Sequence, residues 1–400
     1  MHEISLATEL QNIAGSALWA FATALCVAVL ILAAMRTGAP AARGRWLFGA
    51  QRVGPQHLHD STVPRLGGVA IVAGFGVGLL HLVGFGSTPP AVSAATASLI
   101  LAALLLVAGC GLLEDLTGQV PPRQRLLVTA LATVVLVVAG HLELDRVGLP
   151  MLDPLLGWWP FAVGLTVFVI VGATNAYNIV DGLDGLLAGV SLITLAVIAW
   201  VAMSVGDGTV FALAALLGMA ALGWLPFNWP RARMHAGDAG AYAIGFLTAV
   251  FLLMLVDRNP GVSAWFGVTA AALPVCETVY SMWRRARQGR STLQPDRAHL
   301  HQLVQLRVEQ AAARHARSAP AIVPNGRCSP LLWALHAVIA VAGAAVHDDT
   351  EALLSLLVAF ALVYVLVYRV LSRAHGLRTA GVATPRPADL PAPPTAGSRV

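Results

Sequence analysis

The sequence predicts an all-α, polytopic integral membrane protein with about eleven transmembrane helices, and three observations predict it. Hydrophobic residues make up 57% of the 400 and charged residues only 11%, against roughly 25% charged in a soluble domain. The apolar residues gather in runs suited to a hydrocarbon core of about 30 Å, which takes roughly 17 to 25 helical residues to cross. Backbone groups in lipid must pair within their own segment, so each run is read as a helix. Finally, the basic residues divide very unevenly between alternate loops.

The runs lie at 17–35, 67–85, 92–113, 126–140, 158–174, 186–203, 210–227, 240–256, 263–283, 330–346 and 351–368. No basic segment precedes the first and a basic loop follows it, the pattern of a retained span and not of a cleaved signal peptide. Loops 36–66, 114–125, 175–185, 228–239 and 284–329, with the segment from 369, hold 23 of the 25 basic residues, all arginine. The opposite loops hold only Arg146 and Arg258. That bias places the N-terminus outside and the C-terminus in the cytoplasm. It also attributes the basic balance to membrane topology, with no nucleic-acid partner. The four cysteines show no CxxC spacing, so neither a disulfide framework nor a zinc site is expected. Residues 1–373 read as one membrane domain, and 374–400, rich in Pro and Ala, as a disordered cytoplasmic tail.

Loop parity puts five polar segments on one face: "STVPRLGG" (61–68), "GLLEDLTG" (111–118), "NAYNIVDGLDGL" (175–186), "FNWPRARMHAGDAG" (227–240) and "PDRAHLHQL" (295–303). Ionisable groups at a membrane boundary are a functional hypothesis by default. In the third segment Asn175, Asn178, Asp181 and Asp184 recur every three residues, a slanted polar stripe if helical. Gly182 and Gly185 clear space beside it, although "DGLDG" also fits a plain turn and cap. Asp238, flanked by Gly237 and Gly240, reads as an N-cap or as a carboxylate ligand. Asn178 and Asp238 offer the oxygen donors that a hard cation such as Mg²⁺ takes alongside phosphate. His299 and His301, two apart, suit an extended loop better than one helical face. With Arg284, Arg285, Arg287, Arg290 and Arg297 around them, they form a set suited to phosphate oxygens.

These five segments, in this order over roughly residues 60–305, resemble the polyprenyl-phosphate N-acetylhexosamine-1-phosphate transferases, the family of the WecA, TagO and MraY enzymes. "VPRLGG" and "PDRAHLH" are nearer the WecA-like branch. The resemblance implies transfer of a sugar 1-phosphate from a UDP-N-acetylhexosamine to undecaprenyl phosphate, with Mg²⁺, at the cytoplasmic face of a bacterial inner membrane. The expected partners are those two substrates and membrane lipid, with a homodimer as a compatible assembly.

Residue by residue, the resemblance implies that Asn178 and Asp238 hold Mg²⁺ and that Asp181 and Asp184 line the nucleotide and catalytic site. His299 and His301 fall on the diphosphate side, and Asn175, Asn228, Arg65 and Arg297 on substrate. Asp115 orients or deprotonates the lipid phosphate. Its neighbour Glu114 stands where the family usually has a second aspartate, and Gln302 where it usually has another histidine. Direct attack by the lipid phosphate is favoured, with a covalent aspartyl intermediate left open. The rival readings are a phospho-N-acetylmuramoyl-pentapeptide transferase, an ion-coupled secondary transporter and a non-catalytic lipid-binding scaffold. The transporter reading places its carboxylates near the midplane, whereas these segments share one face.

Overall fold

The computed structural model describes residues 2–37, 63–85, 91–291, 298–315 and 324–374; Arg297 and the segment 375–400 lie outside them. The described residues form helices and no strand. In chain order those of seven residues or more are α1 (His2–Thr37), α2 (Gly67–Phe85), α3 (Ala94–Thr117), α4 (Pro122–Gly140), α5 (Trp159–Val180), α6 (Leu186–Ser204) and α7 (Gly208–Asn228). There follow α8 (Gly237–Arg258), α9 (Ala264–Ala270), α10 (Ala272–Arg287), α11 (Leu300–His315), α12 (Ser329–Ala345) and α13 (Thr350–Ala374). Ten of them, α1–α8, α12 and α13, are long and apolar enough to cross a membrane.

The ninth apolar run is where the structure departs from unbroken spans, because it is divided into α9 and α10 at Ala271 (φ −111°, ψ 23°). The cause is in the sequence. Pro274 has no N–H to offer the carbonyl of Ala270 four residues back, and its ring crowds that carbonyl. The freed Ala270 carbonyl accepts instead from Thr194 Oγ1 of α6 at 3.1 Å. Thr194 is itself tied to Tyr177 (3.0 Å) and His336 (2.9 Å), so the break is satisfied inside the bundle.

The broken pair still joins the two faces. At its start the Ser263 N–H donates to the His347 carbonyl and Trp265 Nε1–H to the Val147 carbonyl, each at 2.9 Å. At its end Glu277 and Ser281 meet His299.

Helix α8 is the centre of the bundle. Every residue from Gly237 to Val256 is buried, as an apolar circumference requires, and α2, α3, α5, α6 and α7 pack around it. Two close approaches depend on missing side chains. A Cβ on Gly111 of α3 would lie 2.6 Å from the backbone nitrogen of Ala239, and one on Gly68 of α2 would lie 2.2 Å from that of Gly240. Such small-residue contacts let helices meet closely in lipid. Outward, Leu30, Phe168, Val338 and Leu362 are exposed, as lipid-facing positions would be.

On the face away from the five polar segments, Arg146 and Arg258 act as ties. Arg146 Nη2 donates to the carbonyls of Val256 (2.6 Å), Asn259 (2.9 Å) and Val262 (3.2 Å), and Arg258 Nε donates to Asp207 at 2.8 Å.

Two outcomes are expected from this architecture. In spheroplasts, a membrane-impermeant maleimide labels Asp145→Cys and leaves Gln288→Cys unlabelled until the membrane is opened; the reverse pattern would invert the orientation inferred from the arginines. Gly111→Leu forces α3 away from α8, a cost of about 1–3 kcal/mol or more, and so lowers the midpoint of thermal unfolding in detergent. An unchanged midpoint would mean that this contact does not hold the bundle.

Candidate active site

The site is assembled around the N-terminus of α8. Its last preceding residue, Ala236, has no side chain able to cap the helix, so the first N–H groups need an acceptor from elsewhere. Asp115, in the last turn of α3, supplies it. Its Oδ1 accepts from the Asp238 N–H and its Oδ2 from the Ala239 N–H, both at 2.9 Å. Gly237 (φ 70°) makes room, since a Cβ there would lie 2.4 Å from Asp115 Oδ2. A carboxylate in this position also complements the helix dipole.

The segment before α2 is laid against the same place by backbone pairing. The N–H groups of Gly67 and Gly68 donate to the carbonyls of His235 and Ala236, and the His235 N–H donates to the Pro64 carbonyl, all at 2.9 Å. This brings Arg65 between two carboxylates, with Nε donating to Asp115 Oδ1 at 3.1 Å and Nη2 to Asp238 Oδ1 at 3.2 Å. Burial by itself would lower the Arg65 pKa. The charges of Asp115, Asp238 and Asp181 outweigh it and hold the pKa above the ordinary arginine value. On the other side Arg125 of α4 pairs with Asp238 Oδ2 and lies 5.6 Å over the Tyr242 ring.

Glu114 faces another way from Asp115. Its Oε2 accepts the Val120 N–H at 2.6 Å, fastening the loop between α3 and α4 after Gly118 ends the helix. That loop in turn fixes where α4 begins and hence where Arg125 stands.

The second part of the site is the turn 181–185. Helix α5 stops at Val180 and Asp181 is its C-cap (φ −71°, ψ 55°). The expected helical stripe through Asn178, Asp181 and Asp184 is therefore corrected: Asp184 lies beyond the helix, in a turn closed by Gly185 at φ 78°. Asp184 serves as a tie, accepting the Ala232 N–H at Oδ2 (2.9 Å), while its own N–H donates to Asn325 Oδ1 (3.2 Å). Asn228 is used similarly, accepting from the Gly185 N–H (2.8 Å) and donating to the Met234 carbonyl (3.1 Å). Both polar atoms of its side chain are thus engaged within the fold. Gly182 and Gly185 clear space for side chains: a Cβ on Gly182 would lie 2.1 Å from His301 Nε2, and one on Gly185 would lie 2.5 Å from the Trp229 ring.

The two histidines come together despite their spacing. His299 is extended just before α11 and His301 is in its first turn, yet their rings stack with centroids 5.5 Å apart and planes 4° from parallel. The structure thus gathers Arg65, Asp115 and Asp238 in one cluster and sets Gly182, next in the chain to Asp181, against the His301 ring. Asp181 lies within the electrostatic reach of Arg65, which links the two parts.

Asn175 and Asn178 are half-buried on the last turns of α5, with no side-chain hydrogen bond among the described residues. Gly245 of α8 packs against Thr174 and Tyr177. Because α5 and α8 run in opposite directions, this register brings Asn178 toward the level of Asp238. Asp238 is not the N-cap that its sequence context suggested, since it sits in the first turn and is capped by Asp115. Among the described residues no group of three or more His, Cys, Asp or Glu side chains is placed to hold a metal by itself.

Two participants escaped the sequence reading. Arg125 counted only as one of two arginines in its loop, although its position ten residues after Asp115 was a usable signal. Glu277, a carboxylate inside an apolar run, is buried and bonded to His299 Nδ1 at 2.8 Å. An ionisable residue in such a run is itself a signal.

The chain is similar to known glycosyl transferases. The model described as Glycosyl transferase family 4 matches residues 97–256. A Bacillus subtilis (strain 168) protein named probable undecaprenyl-phosphate N-acetylglucosaminyl 1-phosphate transferase is 31% identical over 247 residues, 61% of this chain and 66% of that protein. The undecaprenyl-phosphate alpha-N-acetylglucosaminyl 1-phosphate transferase of Escherichia coli (strain K12) is 29% identical over 265 residues, 62% and 66% of the two chains. A Salmonella typhi protein of the same name is 30% identical over 257 residues, again 62% and 66%. The chain spans 66% of the length of each of these relatives, just under two thirds. The matched region contains Glu114, Asp115, Arg125, Asp181, Asp184 and Asp238, so the part of the chain that is similar to glycosyl transferase family 4 is the part that carries the charged cluster.

Proposed function

We propose that this protein transfers an N-acetylhexosamine 1-phosphate from a UDP-sugar to undecaprenyl phosphate, releasing UMP and starting a lipid-linked cell-envelope glycan, at the cytoplasmic face of a bacterial inner membrane. The observation that carries this reading is the pairing of two half-buried arginines with two buried aspartates at the N-terminus of α8. Such a cluster is suited to receive phosphates. The relatives' names supply the acceptor and the transferred group. The arginine bias supplies the face.

The acceptor phosphate is already an anion, so the protein need not create a nucleophile. One of its oxygens attacks the sugar-bearing phosphorus of the UDP-sugar, forming the new P–O–P bond. The bond from that phosphorus to the bridging oxygen breaks, and UMP departs with its electron pair. The chain's task is to hold two anions in line and offset their repulsion. Arg65 and Arg125 bring the positive charge, and both can exchange Asp238 for a phosphate oxygen. His299 and His301 face the same diphosphate from the turn at Gly182. Asp115 accepts from α8 with both oxygens and from Arg65 with one, so it holds that frame beside the acceptor phosphate.

The oxygen donors fit Mg²⁺, which takes one or two protein ligands and fills its octahedron with phosphate and water. Asn178 and Asp238 would hold it, Asp238 being released as its arginines turn to phosphate. When bound, the ion offsets charge on the diphosphate and the departing UMP.

The test is UMP release by purified protein given undecaprenyl phosphate and a panel of UDP-sugars; no release from any N-acetylhexosamine donor would overturn the reading. Asp238→Asn keeps volume and removes charge, and is expected to slow transfer by about two to three orders of magnitude. If Asn178 and Asp238 hold one ion, adding Asn178→Ala to Asp238→Asn costs much less than the product of the separate losses. Raised Mg²⁺ then restores Asn178→Ala more than His301→Ala. Multiplicative losses with an unchanged Mg²⁺ requirement would remove the shared ion.

A further inference from the structure

Glu277 is a carboxylate at 2% exposure in α10, well outside the cluster at α8. Every contact it makes in the histidine segment is an acceptor's contact. Oε1 lies 2.8 Å from His299 Nδ1, and the Leu300 N–H donates to Oε1 at 3.3 Å and to Oε2 at 3.1 Å. Tyr364 of α13 donates its hydroxyl to Oε2 at 2.9 Å, and Ser281 lies 3.5 Å from Oε1 and 3.2 Å from His299 Nδ1. One turn further along α13, the Tyr368 hydroxyl donates to the Ala298 carbonyl at 2.9 Å. The segment 298–300 is therefore held at consecutive residues, by Tyr368, Glu277 and Glu277 again. A carboxylate fixed by several donors beside Nδ1 selects the tautomer with the proton on Nδ1. The other ring nitrogen, Nε2, is then directed away from Glu277.

We infer that Glu277 is a positioning residue for the transfer reaction: it clamps His299 by Nδ1 and Leu300 by its N–H, so that the stacked pair His299–His301 is presented at Gly182 with a fixed ring orientation, and Tyr364 and Tyr368 make the last helix part of the same clamp. The inference rests on the proposed sugar 1-phosphate transfer for its consequence, but the clamp itself is independent of that reading. Glu277 touches no substrate; it acts through His299. Its location in α10 also gives the break at Ala271 a use, since the direction of α10 decides where this carboxylate arrives.

The test combines kinetics with a measurement that needs no turnover. Glu277→Ala is expected to lower the rate of UMP release by about 10- to 100-fold, the usual range for groups that orient a functional histidine. Glu277→Gln, which keeps an oxygen for Nδ1–H, recovers part of that loss. In a His299→Ala background Glu277→Gln costs less than about twofold, because the group it orients is gone. Equal losses in both backgrounds would overturn the inference, as they mark a residue needed only for folding. In parallel, nitrogen-15 NMR of histidine-labelled protein in nanodiscs, assigned with His299→Ala, shows the Nδ1-protonated tautomer for His299 and its loss in Glu277→Ala. An Nε2-protonated His299 in the wild type would overturn the clamp even if transfer is active. Conversely, a protein that releases no UMP but shows the expected His299 tautomer refutes the transfer reading and keeps the clamp. Should Glu277→Ala not fold, Tyr364→Phe removes one donor and leaves Glu277 in place; its loss, expected at a few-fold, must likewise vanish in His299→Ala.

Discussion

The capping of α8 by Asp115 is the interaction on which the rest of the site depends. A fully buried helix that starts inside a protein cannot leave its first N–H groups to water. The chain meets this need with a carboxylate from another helix, and that choice decides much else. It brings a negative charge against the end of α8, which then requires a cation, and Arg65 fills that role through a backbone pairing to 235–236. Arg65 reaches Asp238 as well, and Arg125 completes the set. A structural requirement of the backbone thus becomes an arrangement of balanced charges that an incoming phosphate can rearrange.

The separate elements of this site were legible in the sequence to different degrees. Loop parity alone put the five polar segments on one face, and the structure brings them together there. The stopping of α5 before Asp184 was also legible, because two glycines within four residues argue for a turn as readily as for a clearance. Pro274 announced the break at Ala271 in the same way, since a missing N–H always frees the carbonyl four residues earlier. The capping of α8 by Asp115 was not legible. Whether a carboxylate accepts from a substrate, a metal or a helix terminus depends on which helix end arrives beside it, and sequence spacing does not carry that. The role of Asn228 was hidden for the same reason, as one of its partners, the Gly185 N–H, lies on a turn 43 residues away.

The two halves of the site differ in how they are supported. The charged cluster is built on helix ends within the matched region 97–256, joined by the segment before α2. The histidine pair is held from outside that region, by α10 and by α13. The face of the bundle is therefore closed by elements from both ends of the sequence. The last helix is more than a further crossing, because two of its tyrosines bear directly on the placement of the histidines.

The N–H groups of α8 that Asp115 accepts from are encoded 123 and 124 residues after it, and this bears on how the chain enters the bilayer during synthesis. Helix α3 arrives with two adjacent acidic residues while α8 does not yet exist. In the bilayer interior such a pair would be stranded among hydrocarbon for the whole interval. On the last turn of the helix it can wait in interfacial water, with Arg123 and Arg125 the first cations to follow, until α8 is threaded and its free N–H groups displace that water. The position of Glu114 and Asp115 at the very end of their span thus answers a demand of membrane insertion as well as one of chemistry.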